Sequence, residues 1–296
     1  MTTRIRRILI YPIAAAVPLL CMTIGLGTAA GASTAPAASA SASASAVSHS
    51  AHALAAAKEA IKQFMAGHHT NQLVRGHSKK IAALTQVQST NWSGYADTGS
   101  GFSKVSSSWT EPSPSCGGSS GDQLAAFWVG IDGYSSSSVE QDGTMIECYY
   151  GSAYQYSWWE MYPSNAVQIV GQTVAAGDRI TATVTRSGST YTLKVTDSTH
   201  TANSLTETES CSSCANSSAE WIAEAPSGSS GVYPLAHFSA WTAGSDAVTK
   251  GSTSGTISSF TDDEITMVDG SGNVEAQPGP LNSGGNSFAV TWKRST

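Results

Sequence analysis

The sequence predicts an all-β fold for residues 89–296, built as one sandwich or barrel. Three observations lead there. From Ser89 onward, short runs rich in Thr, Val, Tyr and Trp alternate with Ser/Gly/Asn/Asp turns, the texture of strands and hairpins. Apolar spacings of three and four residues do not persist in that region, so helices are not expected there. A stretch of about 200 residues is long enough to hold one good core.

The elements before this domain read differently. "MTTRIRR" is a basic n-region, "ILIYPIAAAVPLLCMTIGLG" an apolar h-region, and "AAGA" a small-residue cleavage signal near Ala30–Ala32. Residues 1–32 are therefore expected to be a secretory signal peptide. The apolar run is almost long enough for a membrane anchor, but two prolines and the small-residue exit favour cleavage. Residues 33–56 are mostly Ala/Ser of linker composition, unable to bury a core. "HALAAAKEAIKQFMAG" (52–67) is the one convincing helix, with Leu54, Ala57, Ile61 and Met65 at helical spacing and Gly67 to end it. Residues 33–88 are thus expected to form a pro-segment. Within the domain, "RITATVTRSGSTYTLKVTDS" predicts a hairpin turning at Ser187-Gly188, and "SFAVTWK" a terminal strand.

Charge divides at the same boundary. Residues 1–88 carry eight Lys/Arg and one acid, Glu59; residues 89–296 carry seven Lys/Arg against twenty Asp/Glu, a formal charge of −13. Five of the seven histidines precede residue 89. A basic arm before an acidic domain suggests either an electrostatic cover or an aid to export and folding. The acidic domain argues against nucleic acid, whose phosphates need basic partners. Once Cys21 leaves with the signal, Cys116, Cys148, Cys211 and Cys214 remain, an even count that reads as two disulfides with three possible pairings.

Several chemistries are set aside. No HExxH occurs, only His200 and His237 follow residue 89, and no metal or cofactor is expected. "GGSSG" (117–121) fits GxSxG but lacks the strand-turn-helix setting of a nucleophile elbow. "DTGS" (97–100) matches half of an aspartic-protease dyad, without a second copy; its glycines suit a hairpin turn.

Acids and amides on strands remain. In "AEWIAEA" the alternation of a strand puts Glu220, Ile222 and Glu224 on one face and Ala219, Trp221 and Ala223 on the other. A glutamate in an aromatic-rich sheet has its pKa raised by desolvation, which suits a general acid/base at mildly acid pH. In "FWVGIDGYSSSSVEQDG" (127–143), Gln141 offers an uncharged amide able to donate to an oxyanion and orient a water. Such a pair can hydrolyse an amide. A turn glutamine and an ordinarily hydrogen-bonded glutamate fit the same letters.

These residues carry a resemblance. "NWSGYA" (91–96), "WVGIDGYSSSSVEQDG" (128–143), "YSWWEMYP" (156–163), "SSAEWIAEAPS" (217–227) and "SFAVTW" (287–292) stand in the order found in the glutamic peptidases, or eqolisins. The chain resembles the bacterial secreted members most. The resemblance implies a sandwich of two large, bent antiparallel sheets of jelly-roll or lectin-like form, with a catalytic Gln141/Glu220 dyad. It implies that Glu220 activates water and then protonates the leaving amine, while Gln141 holds the oxyanion. Trp92 and Trp128 match tryptophans of the substrate cleft, and Asp132 and Glu160 match residues that line or support it. The loop from Asp132 to Gln141 is one residue shorter than the fungal pattern and has serines where fungal members carry a cysteine. Glu224 rivals Glu220 by spacing, whereas Glu140 and Asp142 belong to the opposite strand face.

The expectation is a secreted, monomeric, pepstatin-insensitive acid endopeptidase acting on proteins and peptides. It would have no membrane attachment after signal cleavage, and its own pro-segment would inhibit it, with cleavage near Val87–Ser89. The alternatives are a secreted carbohydrate-binding sandwich, since "YSWWEMY" also suits sugars, or a glycosidase pairing Glu220 with Glu160 or Glu224.

Overall fold

The computed structural model describes residues 73–81, 84–117, 121–170, 174–228 and 231–295, with side chains from Thr85 onward except that of Val170. The expected signal peptide, the 52–67 helix and the centre of "GGSSG" lie outside the described residues. In chain order the strands are β1 (Leu73–Ile81), β2 (Leu84–Ser89), β3 (Trp92–Thr98), β4 (Phe102–Thr110), β5 (Gln123–Asp132), β6 (Val139–Tyr149), β7 (Ser152–Tyr162), β8 (Asn165–Val170), β9 (Arg179–Ser187), β10 (Thr190–Asp197), β11 (Leu205–Ser210), β12 (Ser218–Glu224), β13 (Ser227–Gly228), β14 (Gly231–Val232), β15 (Trp241–Lys250), β16 (Thr253–Gly255), β17 (Asp262–Val268), β18 (Val274–Pro278) and β19 (Ser287–Trp292). The helical elements among the described residues are two short 3-10 turns, Thr201–Asn203 and Ile257–Ser259.

The strands form two layers. The first runs β1–β2–β17–β3–β12–β5–β6–β7–β8. The second runs β11–β10–β9–β4–β15–β19–β18, with β16 against β15. Pairing of β17 with β18 joins the layers along one side. All these pairs are antiparallel except β2 with β17, which is parallel. The all-β sandwich expected from the sequence is the fold observed.

The burial pattern follows from this layering. In β9 and β10 buried and exposed residues alternate, as in a sheet with one face in water. In β3, β5, β6 and β12 nearly every residue is buried, so both faces of the first sheet's centre are covered. Val105, Trp109, Val184 and Leu193 of the second sheet meet Phe127, Val129, Ile131 and Trp221 of the first in the core between layers. Trp92, Ala96, Trp128, Met145, Trp158, Ile222 and Ile265 form a separate cluster on the first sheet's other face. Period-two alternation thus splits β12 as its sequence predicts, with Trp221 inward and Ile222 outward.

The expected hairpin at Ser187-Gly188 is β9–β10, with Ser187 opposite Thr190. The disulfides resolve to Cys116–Cys148 and Cys211–Cys214. The "DTGS" turn is not a hairpin. Its strands β3 and β4 belong to different sheets, and Gly99 (φ 146°) and Gly101 (φ 81°) supply the left-handed backbone that carries the chain across.

Candidate active site

Register brings the predicted residues into a line. Across the outer face of the first sheet, Asp263 lies opposite Ala96, Ala96 opposite Glu220, Glu220 opposite Gly130, Gly130 opposite Gln141, and Gln141 opposite Glu160. Glu220 and Gln141 are therefore two strand spacings apart, about 10 Å between Cα atoms, with only a glycine between. A Cβ on Gly130 would come within 2.8 Å of the Trp128 ring and 3.2 Å of the Gln141 Cβ. A glycine inside a strand is a signal of close approach that the sequence displays, although its partners are not legible there.

Glu220, Gln141 and Glu160 are fully buried. Gln141 Nε2 donates to Glu160 Oε2 at 2.6 Å, which fixes the amide's orientation and leaves its second N–H available. Gln141 Oε1 has no hydrogen-bond partner among the described residues. Burial raises the Glu220 carboxyl well above its ordinary range; the Ser218 hydroxyl opposes this, and the charges of Asp132, Glu140 and Asp97 add to it. Burial likewise raises Glu160, against the lowering effect of its bond from Gln141.

The neighbouring rows hold the supporting cast. Trp92 and Trp128 meet edge to face at 4.9 Å. Glu224 Oε2 accepts the Trp128 indole N–H at 2.9 Å, and Glu224 Oε1 accepts from Asn91 Nδ2 at 3.4 Å. Glu224 shares Glu220's face, but the register sets it opposite Trp92 and Ala126, two rows from Gln141. Asp132, in left-handed backbone (φ 70°), accepts the backbone N–H groups of Asn216 and Ser217 at 2.7 Å each and the Ser217 hydroxyl at 2.9 Å. It thereby pins the chain entering β12, one turn of strand before Glu220. Glu140 and Asp142 face the interior, as alternation predicts. Burial raises both, Glu140 to about 9, with Asp132 adding to that rise and Arg186 opposing it.

Three contacts escaped the sequence reading: Asn91 with Glu224, Gly130 as the spacer, and Tyr134 with Asp263. Each joins residues far apart in the chain, and the letters carry no register. The two histidines after residue 89 are engaged elsewhere, His200 with Asp178 at 2.8 Å and His237 edge to face with Trp292 at 4.4 Å. A groove of about 600 Å³ on the second sheet, lined by Ser108, Trp109, Arg179 and Thr181, holds no acid/base pair.

Comparison with known proteins gives the family. The Peptidase A4 family profile matches residues 90–279. The chain is 30% identical over 218 residues to aspergillopepsin-2 of Aspergillus niger, covering 64% of this chain and 76% of that protein. It is 34% identical over 151 residues to scytalidopepsin B of Scytalidium lignicola, covering 49% of this chain and 55% of that one. A solved structure of scytalido-glutamic peptidase with a peptide-based transition-state analogue superposes at a TM-score of 0.58 and 26% identity, over 69% of this chain and 98% of that chain. With the profile spanning more than half of its length, the chain belongs to the Peptidase A4 family, the glutamic peptidases or eqolisins, and is a peptidase.

Proposed function

We propose that this glutamic peptidase cleaves peptide bonds with Glu220 and Gln141 as its catalytic pair. The observation that carries the reading is the row Glu220–Gly130–Gln141, with a buried carboxyl at one end and a buried amide, its oxygen unpaired, at the other. Gly130 adds no side chain of its own beneath a scissile carbonyl placed between the pair, and the Trp128 ring borders that space. Once water reaches the site and lifts the burial penalty, Glu220 ionises, and its carboxylate takes a proton from a water as that water attacks the carbonyl carbon. The free N–H of Gln141 donates to the oxygen that gains negative charge, while Glu160 holds the amide in place. Glu220 then passes its proton to the leaving nitrogen, and the C–N bond breaks. The glycosidase reading is less well supported, because Glu160 touches Gln141 rather than Glu220 and sits three strand spacings from it, about 14 Å between Cα atoms.

In the intact chain both residues are shielded from water, so a substrate reaches them only after a change. We assign that change to acid-triggered loss of the basic segment before Ser89. Protonation of the domain's carboxylates weakens its hold on that segment, and cleavage follows near Val87–Ser89. Export by the N-terminal signal, action as a monomer on proteins and peptides outside the cell, and insensitivity to pepstatin complete the reading. No helix among the described residues is long and apolar enough to cross a membrane.

The test is digestion of a denatured protein at about pH 3–4, near the ordinary carboxyl range, by the acid-processed enzyme with pepstatin present. Glu220→Gln is expected to lose at least about 10³-fold in kcat, and Gln141→Ala about 10²–10³-fold. Glu224→Gln, which still accepts from Trp128, should keep most activity. Full activity in Glu220→Gln would reject the pair. Failure of added pro-peptide to inhibit at neutral pH would reject the proposed regulation.

A further inference from the structure

Tyr134, which neither the motif reading nor the catalytic pair uses, lies over the same row. The chain turns sharply at the end of β5, through two left-handed residues, Asp132 (φ 70°) and Gly133 (φ 95°). The loop that follows is tied by its own serines: Gly133 N–H donates to Ser136 Oγ at 2.9 Å, and the Ser136 hydroxyl donates to Ser138 O at 3.0 Å. From this loop the Tyr134 hydroxyl donates to Asp263 Oδ2 at 2.5 Å. β5 and β17 are three strand spacings apart, about 14 Å, so loop and ring together bridge β12 and β3. The ring joins the outer cluster with Trp92, Ala96, Trp128 and Ile265 and is only 8% exposed. It also lies close enough to Glu220 for that carboxylate's charge to help raise the phenol, after burial and Asp263.

Glu220 thus has two contrasting flanks in its row. Toward Gln141 stands Gly130, which adds no side chain and is bordered by the Trp128 ring. Toward Asp263 stands Ala96, a small side chain in the same outer cluster as the Tyr134 ring, whose hydroxyl reaches Asp263 on the far side. We propose that Tyr134, latched to Asp263, forms the wall of one substrate subsite beside Glu220 and restricts that position to small side chains. This rests on Glu220 and Gln141 being the catalytic pair. A peptide lying across the pair must pass the ring on the Ala96 side, and with the ring in place a bulky side chain has nowhere to go. Removing the ring opens an apolar floor made by Ala96 and Ile265, with a carboxyl at its far end.

Cleavage of a mixed peptide library by acid-processed wild type, Tyr134→Phe, Tyr134→Leu and Tyr134→Ala tests the inference. Tyr134→Phe keeps the ring and should keep the wild-type preference. Tyr134→Ala should raise the ratio of kcat/KM for bulky over small residues about tenfold at one substrate position and leave the other positions unchanged, as expected for filling an apolar space. Tyr134→Leu, which preserves an apolar filling if the alanine variant does not fold, should shift the same position by less. A purely structural role for Tyr134 predicts a uniform loss at all positions, and that pattern, or an unchanged profile, would overturn the proposal. An inactive wild type, or activity that survives Glu220→Gln, would instead reject the catalytic pair itself.

Discussion

Gln141 shows how one side chain's usefulness is set by another. An amide free to rotate presents N–H or C=O indifferently, and a donor misplaced by about 1 Å can cost about 10²-fold in rate. Glu160 removes that freedom by accepting from Nε2 at 2.6 Å. Glu160→Ala should therefore lower kcat by about 10–100-fold with little change in KM. Glu160→Gln, whose amide oxygen can accept the same bond, should recover most of the loss. Steady-state kinetics on a single peptide separates the two, and equal loss in both variants would point to the carboxyl itself. The stretch "YSWWEMYP" contains Glu160 without revealing this contact, because a hydrogen bond across the β6–β7 pair depends on a register that no local pattern encodes. The same limit made Glu220 and Glu224 indistinguishable. Alternation put both on one face, and only the long-range pairing of β12 with β3 and β5 shows that one aligns with Gln141 and the other holds Trp128.

Elements were legible where local rules govern them. The Ser187-Gly188 hairpin and the inward and outward faces of β12 follow from turn chemistry and a period of two. What crosses the sheet was not legible. β2 pairs in parallel with β17, from Thr85 opposite Asp263 to Met267 opposite Ser89, so the expected cleavage region lies within a strand of the first sheet. Ser89 is buried, and its hydroxyl accepts the backbone N–H groups of Asn91 and Trp92. The disulfides obey the same division: their existence followed from an even count, their pairing from tertiary contact. Cys116–Cys148 ties β6 to the segment after β4 and closes 32 residues, while Cys211–Cys214 closes only 3. Loop-closure entropy then ranks them. Replacing Cys116 and Cys148 by alanine should cost about 3–4 kcal/mol, and replacing Cys211 and Cys214 less than about 2 kcal/mol. Denaturant unfolding at acid pH measures both, and the reverse ranking would mean that the shorter loop stabilises through native contacts instead.

The whole molecule is organised around acids that it keeps neutral. Composition announced the excess, seven Lys/Arg against twenty Asp/Glu after residue 88, but not how many carboxyls the layers would enclose. Burial lifts Glu111, Glu147 and Asp246 to about 7. It lifts Asp97 and Glu140 to about 9, helped by the charges of Asp262 and Asp132 respectively. In the unfolded chain all five titrate near 4. Below about pH 4 both states hold these protons and the groups' contribution to stability is fully present. Between about pH 4 and 9 the unfolded chain releases protons that the folded chain retains. Fewer protons are then bound on unfolding, and stability falls as pH rises. Asp197 and Asp269 act in the opposite sense. At Asp197 burial is outweighed by donors from the His200 and Thr199 backbone and from Asn203, and at Asp269 the Asn273 donors lead; both are held below the usual carboxylate value, so their contribution is lost as pH falls below it. The two effects together place maximum stability near pH 4. Thermal unfolding of Glu220→Gln, chosen to suppress self-digestion, should give its highest Tm there and a continuous decline toward pH 9. A Tm that instead rose between pH 4 and 7 would mean that the enclosed acids ionise in the native state, and that the layers admit water or cations to them.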